Sequence, residues 1–179
     1  EVHEDKLNVG GLAGGSQIKD EEYREIIAHT YGMISMVDHN VGRVMEALES
    51  VGDLENTIVI FMSDHGDLMG DHWLINKGPF PFRGLYRVPT IWRLPNQVNA
   101  TATTDTMISA VDFAPTILDF ANANIPNGMQ GQSYRPTLET SKSHRDTAYI
   151  EYDSTYLDDR LRNMRTLEWS ITAYSNSEH

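Results

Sequence analysis

The sequence predicts an α/β fold: part of a large, mostly parallel sheet flanked by helices, followed by a smaller carboxy-terminal antiparallel sheet. Three observations carry that expectation. A long stretch after residue 20 places apolar residues at helical spacing. A short run behind it, Ile58 to Met62, is apolar on both faces. The elements then follow in the order helix, strand, strand, helix, strands.

Residues 1–19 are polar and hold Gly10, Gly11, Gly14 and Gly15, the composition of a loop or lead-in. Asp20 is placed to cap the helix that follows, with Glu21 and Glu22 favourable to its dipole. Ile27, Tyr31, Ile34, Val37, Val41, Val44, Leu48 and Val51 recur at steps of three and four, so one long amphipathic helix is expected, ended by Gly52. Gly32 and Gly42 inside it favour close packing over intrinsic helix stability. The run Ile58 to Met62 is rich in β-branched residues and reads as a strand buried in the middle of a sheet, most often a parallel one. Arg87 to Leu94 reads as a second strand, with Pro89 near its start where a missing donor is tolerated. Ser109 to Ala123 is helical by pattern, with Pro115 in its first turns or at its effective start. Residues 124–147 are turn-rich, and Thr147 to Tyr152 and Leu167 to Tyr174 read as strands. The expected organisation is a lead-in over 1–19, an α/β core portion over 20–123 and the beginning of a smaller subdomain over 124–179.

Charge narrows the function. The chain has 14 Lys+Arg against 26 Asp+Glu, a formal net charge of −12. Such a surface repels nucleic acid and anionic membranes. Arg160, Arg162 and Arg165 alternate with Asp158 and Asp159 only as a solvated face would. Cysteine is absent, which excludes disulfides, thiolate metal sites and a cysteine nucleophile from this stretch. The longest apolar run has too few residues to span a bilayer. The opening residues, EVHEDKLNVGG, hold neither an initiating Met nor a leader, so a chain opening on Glu1 is expected to be a processed product, an engineered product or an incomplete reading of a longer protein.

The chemistry is concentrated in SDHGDLMGDHWLINKGPFPFRG, residues 63–84, which begins where the buried strand ends. In open α/β sheets ligands bind beyond the carboxyl ends of the strands. Asp64 and His65 offer a carboxylate and an imidazole from consecutive positions. Both reach one divalent cation if the chain turns sharply, and Gly66 permits that turn. Asp67, Asp71 and His72 add ligand-type groups, and Lys77 adds a compact cation suited to an anionic substrate. The plain alternatives stand beside this reading. A strand-end aspartate commonly caps or turns the chain, a single His72 is more often structural than a ligand, and an isolated Lys77 is an ordinary surface lysine.

The order of segments resembles the sulfatase branch of the alkaline phosphatase superfamily. VDHNVGRVMEALESVGDLENTIVIFMSDHG, GDHWLINKGPF, YRVPTIWRLP, SAVDFAPTILDFANANIP, GQSYRPTLE and NMRTLEWSITAY follow one another as that family's segments do, from about residue 23 to the end. The resemblance implies that Asp64 and His65 are two of four protein ligands of a divalent cation, calcium first, with manganese or magnesium as alternatives. It implies that Lys77 is catalytic, contacting the sulfate and its leaving oxygen, and that His72 borders the site. His rather than Asn after Asp64 resembles the subset containing choline-sulfatase-like enzymes, phosphonate monoester hydrolases and some glycan sulfatases. The family's nucleophile, a formylglycine made in a C/S-x-P-x-R motif, has no counterpart here and is expected in sequence outside this chain. The implied substrate is a sulfated small molecule or glycan, with no nucleic acid or membrane partner. Family members are often periplasmic, secreted or lysosomal, and this chain shows no signal of its own. Expected alternatives are a phosphonate or phosphate diester hydrolase and a non-catalytic binding module. As an isolated fragment the chain is expected to be inactive, to bind metal weakly and to self-associate through uncovered apolar surface.

Overall fold

The computed structural model describes residues 18–95, 103–154 and 160–175. Contacts divide the chain into two compact units, Glu1–Asn96 and Gln97–His179. The lead-in expected over 1–19 lies outside the described residues apart from its last two.

In the first unit, helix α1 spans Asp20–Ser50. Lys19, rather than Asp20, is the residue at its amino-terminal cap. The Lys19 backbone N–H donates to Glu22 Oε2 at 2.8 Å, so a first-turn carboxylate rather than Asp20 satisfies the orphan donor. At the other end Gly52 adopts a φ of 78°, the left-handed region that a residue with a Cβ avoids. Gly52 N–H donates to the Glu49 carbonyl and Asp53 N–H to the Leu48 carbonyl, both at 3.0 Å. This Schellman pair stops the helix where the sequence predicted. Much of the apolar stripe of α1 is exposed, including Tyr31, Ile34, Val37 and Val44. Between that stripe and the following strand lies a groove of about 370 Å³ lined by Met36, Val37, Val41, Val44, Ile60 and Phe61.

Strand β1, Val59–Met62, pairs antiparallel with β2, Thr90–Arg93, in the register Val59 to Arg93 and Met62 to Thr90. Full burial with parallel neighbours was the expectation for this apolar run. Among the described residues β1 has a single strand neighbour, and Ile58 and Met62 are exposed. An apolar run does not encode the direction of its partner, because the intervening chain decides it. The chain between the two strands folds on a small core of Leu68, Leu74 and Leu85, with Phe80 and Phe82 packed against it. A one-turn helix, α2 at Arg83–Tyr86, leads into β2.

In the second unit, a 3₁₀ turn over Ala110–Asp112 opens helix α3, Phe113–Phe120, with Pro115 buried in its first turn as expected. Short helix α4, Arg135–Thr140, lies in the segment read as turn-rich. Strands β3 (Ala148–Asp153), β4 (Arg160–Arg165) and β5 (Ser170–Ser175) form an antiparallel sheet in that order. The sequence reading placed β3 and β5 but took the arginines of β4 for a solvated face. The central strand is β4. Leu161 and Asn163 are buried on one face, while Arg162 turns outward to Glu151 and Asp153.

Asp112 organises this unit. It is fully buried, and both of its oxygens are occupied. Oδ2 accepts from the Ser109 backbone N–H at 3.0 Å and from His144 Nε2 at 3.1 Å. Oδ1 accepts from the Gln132 backbone N–H at 2.9 Å and from the Arg145 guanidinium. Thr116 Oγ1 donates to the Asp112 carbonyl and accepts from the Tyr134 N–H, which places the Tyr134 ring edge-on to Phe113 at 5.7 Å. A buried carboxylate with four donors ties the start of α3 to two later segments. Removing it takes the acceptor from Arg145 Nη2, His144 Nε2 and two backbone donors. Asp112→Ala is therefore expected to cost about 3–5 kcal/mol of stability, read as a lower urea midpoint. A loss below about 1 kcal/mol, the size of a single ordinary hydrogen bond, would show that the carboxylate does not hold the unit together.

Candidate active site

The site is built where β1 ends. Ser63 Oγ donates to the His65 carbonyl at 2.7 Å, and the His65 N–H donates back to Asp64 Oδ1 at 2.9 Å. These two local bonds curl the chain so that consecutive side chains face the same space. Asp64 Oδ2 then lies 3.5 Å from His65 Nε2. The other ring nitrogen, Nδ1, is 2.9 Å from the Gly66 carbonyl. A carbonyl accepts only, so Nδ1 carries the proton and Nε2 presents a lone pair outward.

Gly66 is required by close approach. Its N–H donates to the Leu85 carbonyl at 2.7 Å, and a Cβ at this position would lie 1.9 Å from the Gly84 carbonyl oxygen. The returning chain is thereby pressed against the strand end. Between the two contact points the loop is braced by Asp67, whose Oδ1 accepts from the Met69 and Asn76 N–H groups at 2.9 and 3.1 Å. Leu68 N–H also donates to the Asn76 carbonyl at 2.9 Å. The brace ends one residue before Lys77 and returns that side chain to the strand end, where Lys77 Nζ contacts His65 Nε2 at 2.7 Å.

The loop stores backbone strain. Met69, His72, Trp73 and Asn76 all have φ between 50° and 64°, and Gly70 has a φ of 105°. Four non-glycine residues in the left-handed region within eight positions is unusual, and such clusters persist only where the surroundings enforce them. Here the Leu68, Leu74 and Leu85 core does so, with His72 stacked on Phe82 at 3.7 Å between ring centroids.

The sequence-predicted residues thus separate. Asp64, His65 and Lys77 converge. His72 stacks on Phe82. Asp67, which had looked like ligand material, is a loop brace. Among the described residues no group of three or more His, Cys, Asp or Glu is placed to hold a metal, so Asp64 and His65 stand as a pair. That pair fits one edge of a coordination sphere. For metal–donor bonds of the length calcium takes, neighbouring donors at right angles are roughly 3.3–3.7 Å apart, and Oδ2 and Nε2 are 3.5 Å apart. The charge state fits as well. The His65 backbone N–H holds the Asp64 carboxyl below the ordinary aspartate value. A depressed carboxylate stays ionised as pH falls until that lowered value is reached, so at neutral pH Asp64 is an anionic donor. Its side chain is 85% exposed, leaving the oxygens open to a further ligand.

Comparison with known proteins identifies the family. The model of the sulfatase family matches residues 10–123, and that of the N-sulphoglucosamine sulphohydrolase carboxy-terminal region matches residues 70–179. The chain belongs to the sulfatase family. It is 33% identical to an N-acetylglucosamine-6-O-sulfatase of Bacteroides thetaiotaomicron over 174 residues, covering 93% of this chain and 31% of that protein. It superposes on a phosphonate monoester hydrolase of Agrobacterium radiobacter with a TM-score of 0.81 and 32% identity, covering 89% of this chain and 35% of the other. A second solved structure, in complex with its substrate D-glucosamine-2-N,6-O-disulfate, aligns with a TM-score of 0.69 and 31% identity over 81% of this chain and 32% of its own. The chain spans about a third of the length of several curated relatives it matches.

Gly66→Ala tests how the site is held. A methyl group against the Gly84 carbonyl must push the returning chain away, and the expected cost is about 3 kcal/mol, seen as a lower unfolding midpoint. Unchanged stability would mean that the chain does not return over the strand end at Gly84.

Proposed function

We propose that this chain supplies part of the active site of a sulfuric ester hydrolase, acting on a sulfated small molecule or glycan. The observation that carries the reading is the convergence of Asp64, His65 and Lys77 at the end of β1 in a chain of the sulfatase family. In this reading Asp64 and His65 hold a divalent cation, which when bound supplies Lewis-acid polarisation of the ester's non-bridging oxygens. Calcium is the first candidate for a carboxylate donor. Imidazole is softer than calcium prefers, which keeps manganese, and magnesium behind it, in the proposal. Asp64 and His65 orient each other through the short backbone bonds described above, so their donor atoms are set before any ligand arrives. Lys77 supplies a mobile positive charge that offsets negative charge on the departing oxygen.

The similarity to an N-acetylglucosamine-6-O-sulfatase and to a structure in complex with D-glucosamine-2-N,6-O-disulfate supports a sulfated sugar as substrate class. The similarity to a phosphonate monoester hydrolase supports a second reading, a phosphonate or phosphate diester, because a tetrahedral anion of either kind suits the same charges. The chain contains no cysteine and no Ser-x-Pro-x-Arg segment. The covalent nucleophile is therefore proposed to come from sequence outside it, and the isolated chain to be inactive.

Assay of the protein that carries this chain against aryl sulfate and aryl phosphonate esters tests the proposal. Sulfate turnover is expected to dominate, and Lys77→Ala to lower kcat by about 10²–10³-fold. Preferential phosphonate turnover would favour the second reading. Full activity in Lys77→Ala would remove Lys77 from the chemistry.

A further inference from the structure

Lys77 and a cation at the Asp64–His65 pair make incompatible demands on one atom. Lys77 Nζ is 2.7 Å from His65 Nε2. An ammonium is a donor only, so this contact uses the Nε2 lone pair. Nδ1 offers no second lone pair, because it is committed to the Gly66 carbonyl at 2.9 Å. A divalent cation bound to the same imidazole would lie on that lone pair at about 2–2.6 Å, which is the space the ammonium fills. The two positive centres cannot share it, by volume or by charge.

We propose that Lys77 is a displaceable placeholder: the ammonium occupies the metal-binding lone pair of His65 until a divalent cation expels it, so that metal loading itself releases Lys77. The loop geometry supports a side chain that can move without the backbone moving. The backbone up to Asn76 is fixed by the Asp67 brace and the Leu68–Asn76 bond, whereas Lys77 is exposed and its four-carbon stem is flexible. His65, in contrast, is held at Nδ1 and cannot turn away. The ring stays and the lysine goes. One consequence is functional order. A lysine bonded to His65 has one of its three donors committed to the imidazole, so the site without metal would lack the cation and hold Lys77 back from full engagement of an anionic substrate. Another is selectivity, since a monovalent cation gains less from the Asp64 carboxylate and competes less well for the lone pair. This inference rests on the reading of Asp64 and His65 as metal ligands.

Titration of the metal-depleted protein with Mn²⁺, following free Mn²⁺ by electron paramagnetic resonance at fixed pH, tests it without any substrate. Wild type is compared with Lys77→Met, with Lys77→Gln as a second variant should the first fold poorly, and with Asp64→Ala to place the bound ion. Losing a hydrogen bond to the lone pair is expected to tighten Mn²⁺ binding roughly three- to tenfold in both Lys77 variants. The comparison is repeated in about 1 M KCl, where charge repulsion between exposed groups is screened within roughly 3 Å. Displacement predicts that the ratio between variant and wild type persists in high salt. Equal affinities in wild type and both variants would overturn the placeholder while leaving the proposed function intact, as would a ratio that collapses to one in KCl. Binding unaffected by Asp64→Ala, or no binding by any of the proteins, would remove the metal reading and the placeholder together.

Discussion

The contact on which the rest of this site depends is a backbone one, between Gly66 and the chain that returns at Gly84 and Leu85. A hydrogen bond of 2.7 Å from Gly66 N–H to the Leu85 carbonyl, with no room for a Cβ on Gly66, fixes how closely the loop is drawn back to the end of β1. Everything between residues 66 and 84 must then close within a short span. At the near end of that closure the local bonds of Ser63 and His65 make Asp64 and His65, two residues that an extended strand would send to opposite faces, into neighbours. It also returns Lys77, twelve positions later, to the same imidazole.

Closing the loop so tightly has a cost, and the structure shows where it is carried. The left-handed residues Met69, His72, Trp73 and Asn76 are each less favourable than an extended or helical residue. They are offset by compact packing beneath them, with Leu68 and Leu74 buried against Leu85 and the His72 ring laid on Phe82. Asp67 contributes through two backbone N–H groups that would otherwise need water. The loop is thus a rigid platform with one adjustable part, the Lys77 side chain. The second unit uses the opposite strategy. Its anchor, Asp112, is a fully buried charge whose every lone pair is engaged, and the energetic weight there falls on electrostatics rather than on apolar volume.

Legibility from sequence followed the range of the interactions. Helix α1 and its stop at Gly52 were plain, because periodicity and a left-handed cap are encoded within a few residues. The existence of β1 was equally plain, but its antiparallel partner was not, since pairing depends on where residues 90–93 return. Strand β4 was missed for a related reason. Arg160-Leu161-Arg162-Asn163 has little apolar content, and only the two flanking strands make it a strand. At the site, Asp64, His65 and Lys77 were singled out by chemistry and by the family's segment order, and the structure brings them together. Asp67 and Asp112 show the limit of that approach. A carboxylate bracing backbone N–H groups and one holding a half-buried guanidinium are spelled in the sequence just as a metal ligand is. Which role applies is decided by groups far along the chain.

In the proposed function the end of β1 presents Asp64 and His65 as two adjacent donors to one divalent cation. Crystals of the protein that carries this chain, soaked in Mn²⁺ and measured above and below the manganese absorption edge, test it most directly. The expected result is an anomalous peak within about 2–2.6 Å of an Asp64 carboxylate oxygen and of His65 Nε2 together. A bound manganese elsewhere, with Asp64 and His65 uncoordinated and Lys77 still on Nε2, would contradict it.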